Sequence, residues 1–406
     1  MGAEKGERAG SRATGRFDGV VRAALPAIGT PTRTPAAARA ASRCADRGGA
    51  PEPRQLRKPG RDGPVRLRTG VGPVSTAETR TDGVTTDDTS AEGPGVPCRL
   101  AQIGLRWHAT HGQASLFGPL WKLAEECDQA FRRLADVWHA EDESHPAFLS
   151  AECIARLDYL RSFPHQATFP VTLDSSEANV EDFLNGPVVD DAGHVAPTRL
   201  APISAVLTPA ACYHLYQHHE GERLTRPRYL TTRNTCFRHE ESYRPLRRQW
   251  SFTMREVVCI GTRAEVGEFL DRARWVVNRF TRLVDLPIAW QQATDPFFQP
   301  MRNPKYLMQL VQPVKHEATY GAGLAIASVN LHHDHFGERF DLSRDGKPAY
   351  SGCLAFGLER WLFAITDQHG SDPADWPDLV AASRTVVAEA SVVRPTVAAS
   401  GAGRSE

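Results

Sequence analysis

Residues 231–262, TTRNTCFRHEESYRPLRRQWSFTMREVVCIGT, gather arginines, glutamates and an aromatic in two strand-like halves joined by an Arg-rich loop. Alternation places Cys236, Arg238 and Glu240 on one face of the first half, and Phe252, Met254 and Glu256 on one face of the second. An arginine, a glutamate and a phenylalanine turned to one cleft can pair with a phosphate, a base amino group and the face of a base. Taken alone, the segment also reads as a hairpin with a solvated charged loop. A second stretch, SGCLAFGLERWLFAI (351–365), is an apolar strand ending near Gly357, with a helix opening at Leu358-Glu359-Arg360. Arg360 then sits in the first turn, where the helix dipole favours an anion. In the cluster His332, His333, Asp334, His335, strand neighbours point to opposite faces. Only His333 with His335, or His332 with Asp334, can then share a site.

The elements around these segments are legible from period and caps. Leu120, Ala124, Cys127, Phe131, Leu134 and Trp138 recur at spacings of four and three, which predicts a helix over 117–139. Thr262 and Glu265 form a capping box for a second helix over about 263–283, with Val266, Phe269, Leu270, Ala273, Val276, Val277 and Phe280 on its inner face. Strand-like runs occupy 201–207, 229–238, 251–261, 322–331 and 351–356 without regular strand–helix alternation. That pattern predicts an α+β fold, a mostly antiparallel sheet flanked by helices. Neither GxGxxG nor GxxxxGK[ST] occurs, so a nucleotide site must be of another design.

Residues 1–96 are rich in Ala, Gly, Pro, Thr and Arg and nearly free of aromatics, so they are expected to be a disordered low-complexity extension. The segment 97–392 has globular composition and is expected to form one domain, with 393–406 a disordered tail. No secretory signal and no apolar run long enough for a membrane helix is found. Eight cysteines without a CxxC pair point to reduced thiols and a cytoplasmic setting. The formal net charge is zero, which argues against a broad phosphate-gripping RNA surface.

FRHE, the arginine loop and Phe252 resemble motif 2 of class II aminoacyl-tRNA synthetases, and GLER, about a hundred residues on, resembles motif 3. The helix at 117–139 followed by Pro146 resembles motif 1, the dimer-interface element. LTPAACYHLY (207–216), FTMREVVCIGT (252–262), DPFF (295–298) and AIASVNLHHDHFG (325–337) narrow this further. Across 98–380 the chain resembles the amino acid:[carrier protein] ligases, truncated homologues of the atypical archaeal seryl-tRNA synthetases.

The resemblance implies a class II synthetase-like core that binds bent ATP. Arg238 would meet the α-phosphate, Glu240 the adenine amino group, Phe252 the adenine ring and Arg360 the γ-phosphate, with Arg248 a further ATP contact. It implies a zinc ion held by Cys212, Glu256 and Cys353, its open position facing the substrate amino group. Lys315 and Glu317 fall to the ATP–Mg2+ region, and Ser328 and Asn330 to the ATP or substrate pocket. Leu324 and Ala325 stand where class II cores often carry an acidic metal ligand, so the magnesium ligands are left unassigned. The implied reaction activates a small amino acid, glycine or alanine, and transfers it to the phosphopantetheine thiol of a carrier protein. A homodimer is implied, and tRNA is not the expected acceptor. The alternatives are a seryl-type aminoacyl-tRNA synthetase and a catalytically silent paralogue acting as a binding module.

Overall fold

The computed structural model describes residues 98–392. The expectations for 1–96 and 393–406 lie outside the described residues. A seven-stranded sheet organises the domain. Its strands are β1 (Glu141–Glu143), β2 (Arg228–Phe237), β3 (Ser251–Gly261), β4 (Ile288–Ala293), β5 (Lys315–Tyr320), β6 (Leu324–His333) and β7 (Tyr350–Gly357). Their order is β1-β2-β3-β7-β6-β5-β4, and only β1 on β2 is parallel. The mostly antiparallel pairing agrees with the pattern of strand-like runs. Of the run 201–207, only Ala205–Leu207 is a strand.

The principal helices are α1 (Gly118–Leu134), α2 (Tyr213–His218), α3 (Arg263–Leu283), α4 (Pro304–Val311), α5 (Leu358–His369) and α6 (Leu379–Val392). The first predicted helix stops at Leu134 and continues as a 3-10 turn over Ala135–Trp138. At the start of α3, Thr262 accepts from the Glu265 amide and Glu265 accepts from the Thr262 amide, closing the capping box.

Strand alternation divides the core in two. Val257, Cys259, Leu354 and Phe356 pack with the long helices, whereas Val258, Ile260 and Cys353 face a second cluster that includes Leu149, Ile154, Leu215 and Phe336. Glu256 shares parity with Val258, so the chemically interesting side chains lie on the face away from the long helices. On the helical face, Phe131 stacks on Phe356 at 4.3 Å between centroids and meets Trp361 edge-on at 5.1 Å. The Trp361 indole donates to the Ile326 carbonyl at 2.8 Å, fixing α5 on β6. Truncating such a buried ring costs about 3–5 kcal/mol.

Arg255, also turned to α1, donates to Asp128 at 2.7 Å and to Asp142 at 3.0 Å. It thereby ties β3 to both α1 and β1. Removing one partner of a buried ion pair costs about 3–5 kcal/mol, because the other charge is left uncompensated. At Gly352, a Cβ would come within 3.0 Å of the Asn330 carbonyl and of Val266, so β7 approaches its neighbours this closely only without a side chain.

Candidate active site

The sheet face opposite the long helices opens into a cleft of about 610 Å3. Arg238, Glu240, Arg248, Phe252, Lys315, Glu317, Ser328, Asn330, Arg360, Cys212, Glu256 and Cys353 all line it. Cys236, expected beside Arg238, instead lies in the core with no exposed surface. β2 ends at Phe237, so strict alternation no longer governs Arg238 and Glu240.

One end of the cleft is cationic. Arg238 comes just after β2, and its Nε donates to the Pro209 carbonyl at 2.9 Å while the guanidinium lies 5.1 Å over the Phe252 ring. Arg360, in the first turn of α5, donates from Nε to the Arg247 carbonyl at 2.9 Å and from NH1 to the Ala325 carbonyl at 3.0 Å. Backbone carbonyls thus fix both planar groups without neutralising them, which leaves charge available for an anion. Burial, with Arg238 and Arg248 nearby, pulls the Arg360 pKa down, although Glu317 and Glu240 oppose this. Arg248 lies 3.7 Å from the Glu240 carboxylate across the loop. Burial works against the Lys315 ammonium, but Asp295 and Glu317, each 3.2 Å away, more than offset it and raise its pKa.

Three elements build the other end. Glu256 on β3 stands opposite Ala355 of β7, and Cys353 opposite Val258, so the two side chains are diagonal neighbours on one face. Cys212 caps α2, and the preceding amide, Ala211, donates to Glu256 Oε1 at 3.0 Å. The ligand atoms of Cys212, Glu256 and Cys353 lie within 4.8 Å of one another, and all three residues are buried. The Cys353 hydrogen bond, burial and the Glu256 carboxylate push the Cys212 thiol well above its ordinary pKa. Two thiolates and a carboxylate this close would repel one another, and a divalent cation between them reverses the local charge balance. Two thiols and one carboxylate also match the three-ligand, open-position pattern of catalytic zinc. The residues fit the ion.

Asn330 belongs to this end. Its amide donates to Cys353 Sγ at 3.2 Å and to Ser328 Oγ at 3.1 Å, so both residues support the thiol. The histidine cluster departs from simple alternation. The β6–β7 register shifts between Leu331 and His333, and His333 has φ +54°. As a result Leu331, His332, His333 and His335 all border the cleft. The His332 ring lies 3.6 Å from Cys353 Sγ and 3.1 Å from the Tyr216 hydroxyl. Burial presses its pKa down to about 3.

Two cleft carboxylates were not singled out from sequence. Glu359 accepts the Thr253 amide on both oxygens at 2.9 Å, and burial raises its pKa to about 7. Asp295 pairs with Lys315 and with the Gln309 amide at 3.0 Å. Glu359 stood inside GLER and Asp295 inside DPFF, but nothing local marked either as facing the cleft. At the mouth, Pro304, Lys305 and Met308 of α4 line the opening, and none of α4 is buried. Met301, Met308 and Val311 are exposed there.

The model of the tRNA synthetase class II core domain (G, H, P, S and T) matches residues 203–369. Sheet, cleft and match together define a class II synthetase core. A crystal structure of M. kandleri SerRS in complex with A. aeolicus tRNASec shares this fold, with a TM-score of 0.59 at 20% identity, covering 70% of this chain and 58% of that one. Type-2 serine–tRNA ligase of Methanococcus aeolicus is 26% identical over 253 residues, 58% of this chain and 48% of that protein, so the chain spans about half of that ligase. Amino acid–[acyl-carrier-protein] ligase 1 of Bradyrhizobium diazoefficiens is 34% identical over 243 residues, 57% of this chain and 72% of that protein. The chain belongs to the amino acid–[acyl-carrier-protein] ligase family.

Proposed function

We propose that this protein activates a small amino acid, glycine or alanine, with ATP and transfers it to the phosphopantetheine thiol of a carrier protein. The observation that carries the reading is the single cleft holding guanidinium groups at one end and the Cys212–Glu256–Cys353 set at the other. In the first step the substrate carboxylate oxygen bonds to the α-phosphorus and the bond to pyrophosphate breaks. Arg238 stabilises charge on the α-phosphoryl oxygens and Arg360 holds the γ-phosphate. Phe252 carries the adenine ring, Glu240 accepts from its amino group, and Arg248 adds a contact to ATP. A carboxylate is already nucleophilic, so positioning supplies the rate.

In the second step the carrier thiol sulfur bonds to the acyl carbon, AMP departs, and the thiol proton passes to solvent. Cys212, Glu256 and Cys353 would hold Zn2+, which supplies a Lewis-acid contact for the substrate amine. Glu317, the carboxylate facing Arg360 and Lys315, would help hold Mg2+.

The carrier protein as acceptor is supported by coverage: the aligned region makes up 72% of the carrier-protein ligase but 48% of the serine–tRNA ligase. The exposed apolar residues of 301–311 at the mouth offer a landing surface beside the cleft. A homodimer fits the half-exposed Phe117 and Trp121 at the start of α1, the segment resembling motif 1. A reducing cytoplasmic setting fits Cys127, Cys153, Cys212, Cys236, Cys259 and Cys353, which are all free and buried. Among the described residues no helix is long and apolar enough to cross a membrane.

Purified protein with ATP, Mg2+, Zn2+ and glycine or alanine is expected to exchange pyrophosphate into ATP. A phosphopantetheinylated carrier should then gain the mass of one aminoacyl group. Exchange with tRNA charging and no carrier loading would move the acceptor to RNA. Absence of exchange with every amino acid would leave a silent binding module.

A further inference from the structure

A second cluster of metal-ligating side chains sits at the far end of α2. The ligand atoms of Glu143, His218 and His219 lie within 4.8 Å of one another. Glu143 comes from β1, and the two histidines are the last residue and the C-cap of α2, whose N-cap is Cys212. None of these residues borders the cleft.

The surroundings resemble the outer shell of a metal site. His219 Nδ1 lies 2.6 Å from Glu222 Oε1, which fixes the ring and directs Nε2 towards Glu143 Oε1, 2.7 Å away. The other Glu222 oxygen is held by Arg228 at 3.2 Å. Glu143 Oε2 is itself held by His145 Nε2 at 2.9 Å. A carboxylate behind a ligating imidazole, and a hydrogen bond behind a ligating carboxylate, are the supports that orient metal ligands. Both ring nitrogens of His219 therefore face carboxylate oxygens, an arrangement in which one nitrogen can take a cation while the other stays held. His218 is exposed, so its ring can turn in as the third ligand.

We propose that Glu143, His218 and His219 bind a divalent transition-metal ion of the zinc class, with Glu222 and His145 as outer supports. Neighbouring donors in tetrahedral zinc sites lie roughly 3.3 Å apart, so binding requires small side-chain shifts and no change of backbone. Its effect is positional. It clamps the C-terminal end of α2 to the edge of the sheet, and α2 is six residues long, about 9 Å. The ion would therefore steady the helix whose cap is Cys212, whether or not the interior site holds zinc.

Zinc titration of the full chain carrying Cys212→Ser and Cys353→Ser tests this, since any remaining equivalent cannot come from the interior thiols. One equivalent is expected to remain, with a cobalt spectrum free of thiolate charge transfer and a melting temperature raised by zinc. Adding His218→Ala, a change at an exposed residue, should remove the equivalent and the thermal shift together. Glu222→Gln should weaken binding about 10–100-fold. No equivalent in the double variant, or one that survives His218→Ala, would overturn the proposal.

Discussion

The two ends of the cleft solve different electrostatic problems. At the arginine end, side chains are anchored to backbone carbonyls and keep their charge, so the site fits an anion that comes and goes. At the thiol end, two buried thiols, whose ionisation is opposed by burial and by the neighbouring carboxylate, crowd against Glu256, which suits a resident cation. The positions differ in origin too. Arginines are placed by loops and a helix terminus, whereas Glu256 and Cys353 are placed by sheet register. A register cannot relax around a missing atom. The thiol end is therefore expected to be the less forgiving of change.

Cys353→Ser should break the comparison most severely. Metal content and pyrophosphate exchange are expected to fall together to background. Retained exchange in a metal-free variant would reduce the thiol end to packing. Next in size is Arg360→Ala, expected to lower exchange about 10²–10³-fold, the usual cost of one oriented charge stabiliser. Arg360→Lys should not restore it, because a lysine cannot reproduce the two carbonyl bonds and still offer a planar fork. Equal activity of the lysine variant would show that charge alone suffices at this end. Phe252→Ala should raise the KM for ATP about tenfold and spare kcat, as loss of base stacking costs roughly 1–3 kcal/mol. An unchanged KM would remove Phe252 from the nucleotide site.

The smallest effect concerns Glu359, beside the arginines. Its folded pKa of about 7 exceeds the ordinary 4.5, so between these values the folded chain keeps a proton that the unfolded chain has lost. Its contribution is fully present below about pH 4.5 and is lost as pH rises through 7. Urea unfolding should show wild type losing more stability across that window than Glu359→Gln, by on the order of 1 kcal/mol after allowing for partial exposure. Identical pH dependence would mean that Glu359 ionises normally.

The parts set by short-range pattern were legible. The capping box at Thr262 and Glu265 and the apolar stripes of α1 and α3 depend on neighbours within a turn. Arg360 in the first turn of α5 was implied by a strand–helix junction. The cation-ready set was not readable from residues alone, since Cys212, Glu256 and Cys353 are far apart in sequence; resemblance supplied it. Glu359 and Asp295 were missed because their roles come from partners on other elements, Thr253 and Lys315. The resemblance read His332–His335 as cleft-lining, and His332, His333 and His335 do border the cleft; alternation alone paired them too narrowly, because the register shifts between Leu331 and His333 and His335 already lies on a helix.

Arg255 and Glu256 are adjacent on β3 and opposite in sign. The arginine is locked to Asp128 and Asp142 on the helical side, while the glutamate stands among thiols on the other. This adjacency makes the strand intolerant of odd-numbered length changes. One residue inserted before Arg255 would deliver a guanidinium to the thiols and a carboxylate to the place of Val257 in the apolar core, putting the wrong group on both faces at once. Insertions of two residues would keep parity and shift only the pairing. Homologues that vary in length are therefore expected to do so in the loop joining β2 and β3 rather than within β3.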